Sequence, residues 1–160
     1  MTVQLDTHVA RPALALNLEL SHGRTGASAR VELHDRVTTG DPTHAVARFA
    51  RLSLRGCIDA LAARRLEQAL DDLALHGVDE VLVDCAELRH IDFRQVPALV
   101  ATLDRFEARS GGVVVCGLSR YLRDLFRMAG CDDRLRCWPS AADLLATGAL
   151  APEPSRERAS

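Results

Sequence analysis

Residues 81–96, VLVDCAELRHIDFRQV, decide the fold that we predict for this chain. The opening run, residues 81–83, is short, apolar and rich in valine, which is typical of a strand buried on both faces. A polar connection is predicted over residues 86–90, in which we interpret His90 as a loop residue. After Asp92 the apolar residues recur at helical spacing, which predicts a helix: these residues are Val96, Leu99, Val100, Leu103 and Phe106.

A charged corner, Asp92-Phe93-Arg94-Gln95, therefore lies where a strand and its loop lead into a helix. In open α/β sheets, ligands and partners usually bind at the carboxyl ends of the strands. The sequence thus indicates this corner as the place to look for function.

Composition restricts the class of protein. The chain has 160 residues, of which 48% are hydrophobic, and a formal charge of −2. This is enough for one domain with its own core. A strongly basic balance, the usual mark of nucleic-acid binding, is lacking, so we expect no nucleic-acid partner. No apolar run approaches the roughly 18 residues of a membrane span, and the first residues do not resemble a signal peptide, so we expect a cytoplasmic protein without membrane insertion.

The five cysteines stand at irregular spacing and form no CxxC pair: they are Cys57, Cys85, Cys116, Cys131 and Cys137. We interpret them as small buried hydrophobic residues in a reducing compartment. A zinc site needs short paired spacings of cysteine or histidine, which this sequence lacks. Phosphate-binding glycine loops and nucleophile-elbow motifs are lacking as well. We therefore expect no metal, no cofactor and no enzymatic activity.

The chain begins with residues 1–28, which we predict to be a partly flexible extension; within it, residues 13–20 alternate in a way that leaves a strand or a short helix open. Two strands follow, at residues 30–37 and 45–54, joined by turn residues 39–42. Asp59 is a good N-cap for a helix over residues 60–75. The later elements are predicted by apolar runs and glycine breaks: strand 80–84, a helix to about residue 109, strand 113–116, helix 120–129, strand 135–138 and helix 141–146.

The predicted order is β-β-α-β-α-β-α-β-α, a mixed α/β sheet with helices covering it. Strand–helix–strand units require parallel neighbouring strands and right-handed crossovers. We assign residues 29–148 to this domain and residues 149–160 to a disordered tail, because the tail combines proline with alternating charges.

This order and these residues resemble the STAS domain, the fold of bacterial anti-sigma factor antagonists. Three segments carry the resemblance: Gly56-Cys57-Ile58-Asp59 after the second strand, the approach over residues 81–92 to the helix, and residues 113–119 with the helix end at 125–131. The resemblance implies a regulatory module that binds a protein partner such as an anti-sigma factor kinase. It also implies a partner surface made of Asp59, Asp92, Phe93, Arg94, Gln95 and Ser119.

The corner departs from the family at three positions, Phe93, Arg94 and Gln95, of which Arg94 bears most on function. Members of the family that are phosphorylated carry Asp-Ser-Ser-Gly, and their acceptor serine falls on Arg94, which cannot take a phosphate. No hydroxyl side chain lies between His90 and Leu99, so a phosphate would have to be accepted elsewhere. Of the two alternative acceptors, Ser119 at a helix start is a better candidate than Thr102 in mid-helix. Three alternatives stay open: a corner that binds nothing, a homodimer, and a cytoplasmic STAS subunit of a larger assembly such as a phospholipid-transport ATPase.

Overall fold

The computed structural model describes residues 14–21, 26–37, 46–131 and 137–138. The strands are β1 (Leu14–Glu19), β2 (Ser28–Val37), β3 (Val46–Ile58), β4 (Glu80–Ile91), β5 (Gly112–Cys116) and β6 (Cys137–Trp138). The helices are α1 (Ala60–Leu75), α2 (Val96–Ser110) and α3 (Arg120–Met128), with a 3₁₀ turn over Phe93–Gln95 directly before α2.

The six strands lie in one sheet in the order β1-β2-β3-β4-β5-β6. The first three are antiparallel neighbours, whereas β3, β4, β5 and β6 run parallel. The direction changes at β3 because a helix connects β3 to β4 and another connects β4 to β5, and such a crossover returns the chain in the same direction. The predicted mixed α/β sheet is confirmed.

The N-terminal part of the described chain belongs to this sheet. Of the two structures left open for residues 13–20, the strand forms: β1 pairs with β2 along its whole length, from Leu14 opposite Leu33 to Glu19 opposite Ser28. Leu20 is 1% exposed and joins the core, and the Ser21 hydroxyl accepts a hydrogen bond from the Ala27 amide at 2.9 Å. The described order therefore starts with three strands.

Strand β4 is longer than predicted. The polar connection expected at residues 86–90 is wrong, because β4 runs unbroken from Glu80 to Ile91. β3 likewise extends to Ile58 and supplies the pairing partner for this second half, with two register shifts along the way. Leu88 and Ile91 are buried at 5% and 0% exposure, so the second half of β4 is attached to the core by apolar side chains among the polar ones.

The three helices pack on one face of the sheet. Side chains from α1 (Leu66), α2 (Leu103) and α3 (Phe126) surround the same small apolar cavity as Leu52 of β3. On the outer surface, α1 and α2 are joined by ion pairs between Glu67 and Arg105 at 2.6 Å and between Asp71 and Arg109 at 3.5 Å. The core thus lies between this helix layer and the sheet, as the predicted periodicity of each helix requires.

The other face of the sheet is polar along β2 and β3. Three arginines there lie within 3.0 Å of a carboxylate, in the pairs Arg30–Glu32, Arg51–Asp84 and Arg55–Glu87. Leu82 and Val114 alternate with the core residues of β4 and β5 and are buried at 0% and 8% exposure. The expectation that residues 81–83 are buried on both faces is confirmed, since all three are at most 4% exposed.

Several predictions fall outside the described residues: the turn at residues 39–42, the helix at 141–146 and the tail at 149–160. The domain bounds at residues 29 and 148 stay predictions. Of the five cysteines, Cys85, Cys116 and Cys131 are buried, and Cys57 is half-buried.

Candidate functional site

The predicted site residues lie where the three helices begin, at the carboxyl ends of β3, β4 and β5. We call the predicted set, Asp59, Asp92, Phe93, Arg94, Gln95 and Ser119, the corner surface. Three of its side chains cap a helical turn in the same manner, with an oxygen that accepts a backbone N–H. Asp59 accepts from Ala62 at 2.8 Å, Asp92 from Arg94 at 3.1 Å, and Ser119 from Leu122 at 3.2 Å.

Pairing of β3 with β4 brings Asp59 and Asp92 together. Ile58 lies opposite Ile91 in the last pair of the two strands, and both side chains are buried. The Asp92 amide donates to the Ile58 carbonyl oxygen at 2.8 Å, so the pairing extends one residue further. Asp59 and Asp92 therefore each come directly after the end of a strand, and these two strand ends are adjacent and held in the core by Ile58 and Ile91.

Gly56 permits the bend in β3 that precedes this pair. Its φ of +84° lies in the left-handed region, and a Cβ there would approach the Gly26 carbonyl oxygen to 2.2 Å. Both conditions exclude a side chain, which explains the glycine in the Gly56-Cys57-Ile58-Asp59 motif.

Asp92 and Arg94 form a local ion pair. The Arg94 Nη2 lies 3.2 Å from Asp92 Oδ2, and its Nε lies 3.4 Å from Asp92 Oδ1. The hydrogen bonds from the Arg94 side chain and backbone lower the pKa of the Asp92 carboxyl below its ordinary value. The Arg94 side chain is 84% exposed, so it can contact a partner while it is paired with Asp92.

Phe93 is the apolar part of the corner. It is 44% exposed in the single 3₁₀ turn, between the two members of the ion pair in sequence. Gln95 is half-buried and makes no capping hydrogen bond with its side chain. α2 begins at the buried Val96, which anchors the turn and leaves Phe93 and Arg94 at the surface.

Two further residues belong beside the corner surface, and sequence reasoning missed them. The Tyr121 hydroxyl and the His90 Nδ1 are 2.6 Å apart, and the two rings stack with centroids 5.7 Å apart. The interpretation of His90 as a loop residue is wrong, because it lies on β4 opposite Cys57. Leu88 and Ile91 near His90 are buried, but they stand three residues apart and lack the alternation of a strand, so no clear signal for a strand was present in the sequence here.

The two alternative hydroxyl groups differ in access. Ser119 is exposed at the start of α3. Thr102 is 4% exposed, and its hydroxyl donates to the Ala98 carbonyl oxygen at 2.9 Å. Only the Ser119 hydroxyl of the two is therefore open to a modifying enzyme.

Little in the described part of the chain suggests metal or thiol chemistry. Residues 14–21, 26–37, 46–131 and 137–138 contain no cluster of three or more histidine, cysteine, aspartate or glutamate side chains that could hold a metal. Burial raises the pKa of the Cys116 thiol to about 12, with a further contribution from the Asp84 carboxylate. The helices in these same ranges are too short or too polar to cross a membrane.

The fold is similar to that of solved structures of two anti-sigma factor antagonists and of an anion transporter. An anti-sigma factor antagonist from Mycobacterium paratuberculosis superposes with a TM-score of 0.53 at 20% identity, covering 72% of this chain and 93% of that one. The unphosphorylated anti-sigma factor antagonist SpoIIAA gives 0.52 at 17% identity, covering 73% and 96%. The murine anion transporter Slc26a9 gives 0.56 at 12% identity, covering 75% of this chain and 22% of that one.

At these identities the structural likeness establishes the fold, and the family follows from sequence. No curated protein matches the chain. The family model described as "Mlab, STAS domain" matches residues 44–145, which is more than half of the chain and spans β3 to β6. The chain belongs to the STAS domain family.

Proposed function

We propose that this protein is a non-catalytic regulatory module of the anti-sigma factor antagonist type, which binds a protein partner through the corner surface. The observation that carries the proposal is Phe93, an aromatic side chain left 44% exposed at the helix-start edge beside the Asp92–Arg94 ion pair. The partner class that we propose is an anti-sigma factor kinase.

The chemistry around Phe93 supports a protein partner. Leu61 in the first turn of α1 and Tyr121 in the first turn of α3 are 42% and 50% exposed, so each of the three helix starts presents one large apolar side chain. Aromatic and arginine side chains are enriched among the residues that contribute most to protein–protein binding. Apolar anchors rimmed by charged groups match that pattern.

The same corner supports a module without the usual phosphate switch. In phosphorylated relatives, a phosphate at a helix start would meet free N–H groups and the positive end of the helix dipole. Here residues 91–98 carry no hydroxyl, and Arg94 donates to Asp92, so the corner holds a permanent pair of opposite charges. We propose that partner binding at this corner is not controlled by phosphorylation at residues 92–95.

A subunit of a larger assembly, such as a phospholipid-transport ATPase, is the second candidate. It is favoured by the likeness to Slc26a9, where the matched region is 22% of a transporter chain. The two candidates use the same fold and differ in the partner. Homodimerisation and a cytoplasmic location stay proposals of the same kind.

The test combines identification of the partner with measurement of affinity. Affinity capture with the tagged protein, followed by mass spectrometry, separates the candidates, because an anti-sigma factor kinase supports the first and a transport ATPase subunit supports the second. Titration calorimetry with the purified partner then compares Phe93→Ala, Arg94→Ala and Arg94→Ser with the native chain. We expect each alanine variant to weaken binding by more than about 1 kcal/mol.

Met128→Ala is the matched control, because Met128 is 72% exposed at the far end of α3 from Tyr121. If the Phe93 and Arg94 variants bind as tightly as this control, the corner surface is not the partner site. Incubation with the kinase and ATP should leave residues 92–95 unmodified. Stoichiometric phosphate on Ser119 would show that the switch has moved to α3 and would contradict a permanently unregulated corner.

A further inference from the structure

Strand β1 forms an outer edge of the sheet, and it precedes the segment matched by the family model, residues 44–145. One side of β1 pairs with β2; in the described ranges no strand pairs with the other side. An unpaired edge offers a row of backbone N–H and C=O groups to another strand.

Within the described residues, this edge lacks three of the features that usually block such pairing. Natural edge strands are protected by lysine, proline or bulges. The six residues of β1, LALNLE, contain no basic residue and no proline, and the single charge is at Glu19. The register with β2 runs without a shift from one end to the other, so no bulge turns the edge away.

The helix face of β1 is also incompletely covered. Leu14, Leu16 and Leu18 lie opposite Leu33, Val31 and Ala29, which places them on the core side of the sheet. Leu18 packs against the core, whereas Leu14 and Leu16 are 45% and 48% exposed. Arg65 of α1 reaches the carbonyl oxygens of Glu19 and Leu20, at the other end of β1 from Leu14.

We propose that β1 pairs antiparallel with β1 of a second copy of this chain, about a two-fold axis at Leu16. In this register Leu16 faces its own equivalent, Leu14 faces Leu18 of the second copy, and Ala15 faces Asn17 of the second copy. The result is one continuous sheet through both copies.

The sequence LALNL favours a second copy over an unrelated partner because it is self-complementary about its centre. On the helix face, leucine meets leucine in every pair, and apolar pairs across strands are stabilising. On the other face, neutral Ala15 meets neutral Asn17. Glu19 is carried to opposite ends of the pair, so like charges are not opposed. An isologous interface requires this kind of self-complementarity.

Sedimentation analysis over a range of concentrations measures the dimer. Leu16→Glu places two carboxylates directly opposite each other at the axis, and we expect the dimer dissociation constant to rise at least about tenfold. Met128→Glu is the control, since Met128 is likewise exposed, on α3, and should leave the dimer unchanged. Because Leu16 is half-exposed, thermal melting should show that the variant remains folded.

Oxidative cross-linking tests the register without weakening the dimer. Residues directly opposite in an antiparallel pair have Cα atoms about 4.5–5.5 Å apart, within the range of a disulfide. Leu16→Cys should therefore give a covalent dimer under mild oxidation, whereas Asn17→Cys, which faces Ala15, should give no more than the native chain. The proposal would be overturned if the intact chain were a monomer at every concentration, even if removal of residues 1–13 then allowed it to dimerise. A dimer that Leu16→Cys does not cross-link would overturn it as well.

Discussion

Replacing Gly56 by alanine should destabilise the fold far more than the same change at Gly77. Both glycines have almost the same left-handed conformation, with φ of +84° and +77°. Alanine in that region costs about 1–2 kcal/mol, and the change in the unfolded chain is common to both sites. The two sites differ in space: a Cβ at Gly77 has nothing within 4 Å, whereas at Gly56 it lies 2.2 Å from the Gly26 carbonyl oxygen.

The backbone around Gly26 must therefore move to admit the alanine methyl group of the Gly56→Ala variant, and overpacking of this kind adds about 1–3 kcal/mol. We expect total losses of about 2–5 kcal/mol for Gly56→Ala and about 1–2 kcal/mol for Gly77→Ala. With a urea m-value of about 2 kcal/mol/M, the unfolding midpoint falls by roughly 1–2.5 M and 0.5–1 M respectively. Equal midpoints for the two variants, at unchanged m, would refute the close approach of β3 to the β1–β2 connection.

Three further predictions concern charge, thiol reactivity and capping. Arg94→Ala should raise the pKa of Asp92 towards its usual value of about 3.9, as measured by carboxyl-carbon NMR titration, since the hydrogen bonds from Arg94 lower it. Because this pKa is lowered in the folded state, the small stabilisation is present above the unfolded pKa and is lost as the pH falls through the folded pKa. An unchanged titration of Asp92 would mean that the ion pair does not form. Alkylation at pH 8 should modify the half-buried Cys57 well before Cys116, because a pKa of about 12 keeps Cys116 protonated as the thiol. If mass spectrometry showed the reverse order of modification, the burial of Cys116 would be contradicted. Asp59→Ala should lower the free energy of unfolding by about 1 kcal/mol, whereas Asp59→Ser should retain most of the stability that the cap contributes. Equal losses for the two variants in urea titrations would show that the hydrogen bond from the Ala62 amide to Asp59 is not what stabilises α1.

Much of the fold could be predicted from local patterns. The apolar run at residues 81–83, the helical spacing after Val96 and the Asp59 cap each concern neighbours within a few residues, and each was found where predicted. The corner could also be located, because strand ends and helix starts are marked by such patterns. The contribution of β1 and the second half of β4 was not predictable in the same way.

Pairing partners explain that difference. Residues 86–90 contain three charged or titratable side chains and look like a loop, yet they are strand because β3 continues beside them with bulges that adjust the register. The contact of Tyr121 with His90 joins residues 31 positions apart and left no periodic trace. Tertiary pairing overrides local preference in strands because much of their stability comes from neighbouring strands.

The sequence by itself determined the order of elements from β2 to β6, the Asp59 cap and the chemical character of the corner: an aromatic, an acid and an arginine with no hydroxyl. Those properties depend on side-chain type and short spacing, which the chain carries in any conformation. Only the tertiary structure decided that Asp59, Asp92 and Ser119 share one edge, that Arg94 is paired with Asp92, and that Phe93 is exposed. These depend on which strand ends meet, and the buried Ile58–Ile91 pair and the bend at Gly56 bring them together.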